Sequence, residues 1–88
     1  MIRKKIKIEN KLGLHARPAT MLVKIATKYR SDCRIVKDDM DINGKSIMGV
    51  MMLAAECGSE LELIADGIDE EYLMNELVEL FTNKFNEE

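Results

Sequence analysis

The alternation of apolar and charged residues at the start of the chain predicts a β-strand. Ile2, Ile6 and Ile8 alternate with lysines and a glutamate, which is the pattern of a strand with one buried face. Residues 10–13, which end in glycine, then predict a loop. The chain therefore begins as a strand that leads into a turn.

A helical period begins at Ala16. The apolar residues that follow are three and four positions apart, so a helix ending near Tyr29 would bury one face. Pro18 falls in the first turn, where a backbone N–H has no partner within the helix. The face that we expect in the core consists of Ala19, Leu22, Val23 and Ala26.

The next segment predicts a hairpin of two short strands. Residues 33–37 and 40–43 have the composition of strands, and residues 38–39, both aspartate, are suited to the turn between them. The Asn-Gly pair at residues 43–44 ends the second strand.

A short apolar helix is predicted from residue 47 to about residue 53, with Ser46 as its N-cap. A helix this short cannot bury apolar side chains all round, so some of them must face solvent or a partner. We expect Val50 and Leu53 in the core. Methionines adapt to partners of different shape, and the expected exposed apolar patch consists of Ile47, Met48 and Met51.

The remainder of the chain predicts one more strand and a long amphipathic helix. Leu61, Leu63 and Ala65 alternate with residues 60, 62 and 64. Asp69 is a suitable N-cap for a helix that ends near Lys84. The order β-α-β-β-α-β-α favours an α+β fold in which helices cover one face of a largely antiparallel sheet. The apolar stripe of the last helix consists of Leu73, Leu77, Leu80 and Phe81.

The length and the charge of the chain narrow the range of functions to be considered. A chain of 88 residues predicts a single domain, 1–88, which is too small for an elaborate catalytic cavity. The net charge is -3 and there are only two Tyr and two Phe, so the basic stripe and the stacking aromatics of a nucleic-acid-binding protein are not expected. A chain of this size is better suited to a surface site that uses a partner's reactive groups than to an enclosed active site.

Cysteine usage and hydropathy predict a cytoplasmic location. No apolar segment of a signal peptide follows Arg3, and the longest uncharged run is far shorter than the ~20 residues of a membrane span. Cys33 and Cys57 are expected to be free thiols. One histidine and two isolated cysteines lack the spacing of metal ligands, and the acidic residues at 66–71 fit a helix start better than a calcium loop. We expect no metal and no cofactor.

The most informative segment places His15, the single histidine, directly before a predicted helix. A helix start presents backbone N–H groups, here that of Ala16, and a partial positive charge, which together bind phosphate. The same charge favours the neutral imidazole, the form that attacks phosphorus. Arg17 would add charge-assisted hydrogen bonds to the phosphoryl oxygens, and Gly13 would let the backbone present the ring.

A second segment, residues 44–46 (Gly-Lys-Ser), has the ending of a nucleotide-binding P-loop. We reject that interpretation because residue 39 is aspartate where the motif requires glycine. Ser46 remains a helix N-cap with an accessible hydroxyl, and a phosphate placed there would suit the helix dipole.

These residues resemble the HPr family, the histidine-containing phosphocarriers of the bacterial phosphoenolpyruvate–sugar phosphotransferase system. The resemblance covers essentially the whole chain. It rests on Gly-Leu-His-Ala-Arg-Pro-Ala at residues 13–19 and on Lys-Ser-Ile-Met-Gly-Val-Met at residues 45–51, and the second motif is more similar to the Gram-positive members. It implies an open-faced β-sandwich, with a four-stranded antiparallel sheet covered on one face by three helices.

The resemblance also implies partners and roles. His15 would accept a phosphoryl group on Nδ1 from enzyme I and donate it to an enzyme IIA domain, with Arg17 holding the phosphate. Such a carrier is not an enzyme in the turnover sense. Ser46 would be the target of an HPr kinase/phosphorylase, and its phosphate would recruit a catabolite-control transcription regulator. We expect a monomer that binds no nucleic acid and no membrane, with a partner interface formed by Leu14, Thr20, Met21, Lys24, Ile47, Met48 and Met51.

Three other interpretations remain open from the sequence. A regulatory relative could act mainly through phosphorylated Ser46, although His15 argues against that version. A carrier in a nitrogen-related phosphotransfer chain is another, but residues 45–48 favour the sugar branch. A purely structural domain would make both His15 and Ser46 dispensable.

Overall fold

The computed structural model describes residues 1–86 and has the predicted order of strands and helices. Each predicted strand and helix is present, with ends within one or two residues of the expected ones. A left-handed turn, Lys84–Asn86, follows the last helix. The elements are β1 (Ile2–Lys7), α1 (Ala16–Thr27), β2 (Asp32–Lys37), β3 (Met40–Asn43), α2 (Ile47–Met52), β4 (Glu60–Asp66) and α3 (Glu70–Thr82).

The four strands form one antiparallel sheet in the order β1-β4-β2-β3. Side chains alternate between the two faces of a strand, so residues paired across the sheet share a face. Leu63 lies opposite Ile35, and both are fully buried with the apolar faces of the helices. The helices therefore cover one side of the sheet, and the predicted open-faced sandwich is confirmed.

The opposite face of the sheet carries charge and has no second layer. Lys5 is paired with Glu62 and Lys7 with Glu60 across β1 and β4, an arrangement of opposite charges that stabilises neighbouring strands in water. Arg34 likewise donates to Asp41 on β3. The solvent-facing side of the sheet is thus stabilised by its own cross-strand pairs.

Ile64 differs from the other residues of that outer face because it is buried. It lies opposite Arg3 on one side and Arg34 on the other. The aliphatic parts of arginine side chains cover apolar neighbours while the guanidinium groups stay hydrated. The predicted alternation of β4 residues between the two faces of the sheet is therefore correct. Burial alone does not distinguish the two faces, because each of them includes a buried residue.

Phe85 is a core residue that the helical period does not reveal. It lies beyond the end of α3 with a left-handed backbone, φ 56°, and is fully buried. Its ring meets that of Phe81 edge to face, with 4.8 Å between the ring centroids. The turn after α3 thus returns an aromatic side chain to the core.

The structure corrects the role expected for Asp69. It occupies the N-cap position of α3, but its carboxylate does not cap the helix. The carboxylate instead accepts hydrogen bonds from the hydroxyl of Ser31 and from the backbone N–H groups of Ser31 and Arg30, the latter two at 2.9 Å. These bonds lower the pKa of Asp69 from 3.8 to about 2, and they hold the α1–β2 connection against the start of α3.

We expect Asp69→Asn to destabilise the fold in a pH-dependent way. Because the folded pKa lies below the unfolded one, the ionised carboxylate stabilises the protein fully above its usual pKa of 3.8. That contribution disappears as the pH falls through about 2. Urea unfolding of the wild type and of Asp69→Asn, measured from about pH 6 to about pH 2, should therefore show that the difference between their free energies of unfolding shrinks as the pH falls. Asp39→Asn, at the exposed hairpin tip, is the control, and a difference for Asp69→Asn that is independent of pH would contradict the assignment.

Candidate functional site

The loop that leads into α1 is held against the segment that follows α2. The backbone N–H of Leu14 donates to the carbonyl of Ala55 at 2.9 Å. Gly13 has a left-handed backbone, φ 68°, and a Cβ at this position would lie 2.3 Å from the same carbonyl oxygen. Asn10, which is buried, donates from Nδ2 to the carbonyl of Gly13 at 2.8 Å. Only glycine permits this approach of two backbones.

His15 occupies the N-cap position of α1, as predicted. Its backbone is extended, with φ -82° and ψ -169°, and its carbonyl accepts the N–H of Ala19 at 3.0 Å, which is the first hydrogen bond of the helix. The N–H groups of Ala16 and Arg17 come before the first hydrogen bond of the helix and therefore have no acceptor within it, and Pro18 has no N–H group. In the described part of the chain, the His15 side chain does not cap these amides. The half-buried imidazole thus lies beside the positive end of a 12-residue helix.

The electrostatics of this helix start favour an anion. The first turn of α1, all of it among the described residues, carries no acidic side chain. Arg17 is exposed one position after the first helical residue. Backbone amides, the helix dipole and a guanidinium group are the features that bind a dianion such as a phosphoryl group. A neutral imidazole nitrogen beside these features is a suitable phosphoryl acceptor.

Four further residues of the predicted interface lie on or next to α1. Lys24 is exposed, and Thr20 and Met21 are half-buried, with the hydroxyl of Thr20 donating to the carbonyl of Ala16 at 2.8 Å. Leu14 must be corrected, because its side chain is 4% exposed and belongs to the core. Leu14 anchors the loop that carries His15 and does not present an apolar surface to a partner.

The predicted cap of the second helix is confirmed. The Oγ of Ser46 accepts the backbone N–H of Gly49 at 3.0 Å at the start of α2. Just before it, the Nζ of Lys45 donates to the carbonyl of Tyr29 at 2.9 Å, beyond the end of α1. Gly44 packs so closely on Cys33 that a Cβ would lie 2.4 Å from the sulfur. The half-exposed Ser46 is therefore held in a defined position.

α2 has one buried and one exposed side. Val50 and Leu53 are buried, as expected. The expected exposure of Ile47, Met48 and Met51 is also confirmed, and Met52, which the sequence pattern did not single out, is exposed with them. We refer to the four exposed side chains as the methionine patch: Ile47, Met48, Met51 and Met52.

The methionine patch and His15 are linked through Ala55. The chain leaves α2 through a left-handed residue, Ala54 with φ 49°, and Ala55 then accepts the bond from Leu14. The end of α2 consequently lies beside the loop that carries His15, and Ser46 lies at the other end of the same short helix. Leu12 in that loop is an exposed apolar residue that the sequence analysis did not identify. Its signal was an apolar residue in a segment otherwise typical of a solvated loop.

The described part of the chain lacks the features of two other classes of protein. Residues 1–86 contain no group of three or more histidine, cysteine, aspartate or glutamate side chains that could hold a metal ion. Within the same range, no helix is both long enough and apolar enough to cross a membrane.

Comparisons with known proteins agree with this geometry. The family model described as PTS HPr component phosphorylation site matches residues 2–83. The phosphocarrier protein HPr of Treponema pallidum is 47% identical over 88 residues, all of both chains, and the HPr-like protein Crh of Bacillus subtilis is 43% identical over 77 residues, 88% of this chain and 91% of the relative. The crystal structure of an HPr from Thermoanaerobacter tengcongensis superimposes with a TM-score of 0.96 at 45% identity, covering 100% of this chain and 99% of that one.

The contact between Gly13 and Ala55 can be tested by comparing two alanine variants. Gly13→Ala and Gly58→Ala both place a Cβ on a left-handed backbone, but only at Gly13 does it meet the backbone of another segment. We expect Gly58→Ala to lose about 1 kcal/mol of stability from backbone strain and Gly13→Ala to lose about 1–3 kcal/mol more. Urea unfolding measures both losses. Equal losses would show that the close approach does not constrain the loop.

Proposed function

Because the chain belongs to the HPr family of phosphocarrier proteins of the phosphotransferase system, we propose that His15 is the residue that carries the phosphoryl group. The observation that supports this assignment is the position of His15 at the N-cap of α1, directly before the amides of Ala16 and Arg17. His15 is also the only histidine in the sequence.

The proposed transfer needs little from the chain beyond position and charge. A lone pair of the neutral imidazole, on Nδ1 by the resemblance to the family, forms a bond to phosphorus while the bond to the donor breaks. The three phosphoryl oxygens then lie against the amides of Ala16 and Arg17 and the Arg17 guanidinium. Donation to the next protein reverses these steps. Since each direction uses a partner's reactive group, the chain acts as a carrier without turnover of its own.

Enzyme I is the proposed donor and an enzyme IIA domain the proposed acceptor. The surface for both combines the methionine patch with Thr20, Met21 and Lys24 on α1, because His15 begins α1 and its loop is bonded to the segment that follows α2. One surface must serve successive partners, so we propose a cytoplasmic monomer that forms weak, rapidly exchanging complexes. We further propose that residues 1–88 act as one domain.

Ser46 supports a second, regulatory role. It is half-exposed and directly precedes the methionine patch, and the relative Crh has been studied as a catabolite repression HPr of Bacillus subtilis. A phosphoserine carries about -1.5 to -2 charges. Formed by an HPr kinase/phosphorylase, it would weaken docking on the adjacent apolar surface and would attract a basic partner such as a catabolite-control transcription regulator.

A phosphotransfer assay with phosphoenolpyruvate and enzyme I tests the carrier assignment. We expect wild-type protein and Ser46→Ala to gain one acid-labile phosphate by intact mass, and His15→Ala to gain none. Arg17→Lys should accept the phosphate about tenfold more slowly, because a charge-assisted hydrogen bond contributes about 1.5–3 kcal/mol. Labelling of His15→Ala, or no labelling of the wild type, would disprove the assignment.

The regulatory role is tested with ATP and an HPr kinase. Wild type should gain an acid-stable phosphate that Ser46→Ala does not gain, and the phosphorylated protein should then accept phosphate from enzyme I more slowly. An unchanged rate of transfer would show that Ser46 does not control the His15 surface.

A further inference from the structure

Three of the seven methionines project from one side of α2 into solvent. Met48 is 76%, Met51 44% and Met52 64% exposed, whereas Met74 in α3 is 2% exposed. At about 100° per residue, the exposed residues 47, 48, 51 and 52 span about 140° of the helix surface. Val50 and Leu53 lie outside that arc and are buried. The side chains of these three methionines therefore form a large part of the surface next to the loop of His15.

A thioether can be oxidised and reduced again, so the polarity of this surface can change reversibly. A hydroperoxide transfers one oxygen atom to the sulfur: the sulfur lone pair forms the S–O bond, the O–O bond breaks, and water or an alcohol leaves. The sulfur loses two electrons to the peroxide, and the flexible apolar side chain becomes a polar sulfoxide. Thiol-dependent sulfoxide reductases reverse the change.

We propose that Met48, Met51 and Met52 are a site of reversible oxidation by hydroperoxides that lowers the rate at which His15 receives its phosphoryl group. This inference rests on the proposed docking role of the methionine patch. A sulfoxide buried in a protein interface loses its bonds to water, and an apolar partner surface does not replace them. Oxidation of α2 leaves the phosphoryl site itself intact, since His15, Ala16 and Arg17 carry no sulfur.

Other sulfur atoms in the chain must be separated from this effect. Cys57 is an exposed thiol and would also react with peroxide. Cys33 is buried, and burial raises the pKa of its thiol to about 11, so little reactive thiolate is present. Met1 is also exposed, but it lies next to α3 and not on α2, because its amino group is 3.1 Å from the carboxylate of Glu70 at the start of α3.

The test compares two variants of the 88-residue chain, both carrying Cys57→Ser. One keeps the native methionines, and the other carries Met48→Leu, Met51→Leu and Met52→Leu, which keep apolar volume but cannot form sulfoxides. Each is treated with hydrogen peroxide until peptide mass spectrometry shows oxidation of the exposed methionines. Transfer from phosphorylated enzyme I is then measured, and each oxidised protein is compared with its own untreated form.

We expect oxidation to lower kcat/KM of the protein with native methionines about fivefold or more, through KM, with recovery after sulfoxide reductase treatment. The leucine protein should change less than twofold. Equal ratios for the two proteins would overturn the proposal, because the effect would then come from Met1, Met21, Met40 or Met74. An unchanged kcat/KM after oxidation would also overturn it and leave the carrier assignment standing. No transfer to the untreated protein would disprove both.

Discussion

The hydrogen bond from Leu14 to the carbonyl of Ala55 is the interaction on which the site depends. It joins the segment before α1 to the segment after α2, and the missing side chain of Gly13 lets the two backbones approach. Leu14 adds a buried side chain to the same anchor. The imidazole of His15 and the methionine patch therefore keep a fixed relation, although they belong to parts of the chain more than 30 residues apart.

The remaining structure leaves this side of the molecule available for partners. The apolar faces of the strands and helices form one core between the sheet and the helices. The outer face of the sheet is stabilised by cross-strand ion pairs such as Arg3–Glu62 and Arg34–Asp41. Single exposed apolar side chains are common on protein surfaces, whereas a contiguous group of them more often marks an interaction surface. The four apolar side chains that α2 exposes are the surface that the proposed partners would cover.

The sequence predicted the local features well, because they depend on neighbouring residues. The strand alternation, the stripe of α1, and the capping of α2 by Ser46 all follow from spacings of a few positions. The residues that were misassigned or missed depend on tertiary packing and on contacts between distant segments. The carboxylate of Asp69 binds residues 38 and 39 positions away, Leu14 is buried by tertiary packing, and Phe85 reaches the core through a left-handed turn that no glycine marks.

The most direct test of the central claim is to compare the backbone amide resonances of the unphosphorylated protein with those of the protein phosphorylated by enzyme I. If the helix start holds the phosphoryl group, the amide protons of Ala16 and Arg17 should show the largest downfield shifts in the chain, because they form new hydrogen bonds to its oxygens. The amide of Gly49, bonded to Ser46 at the start of α2, should shift much less. Largest shifts outside the start of α1 would contradict the account.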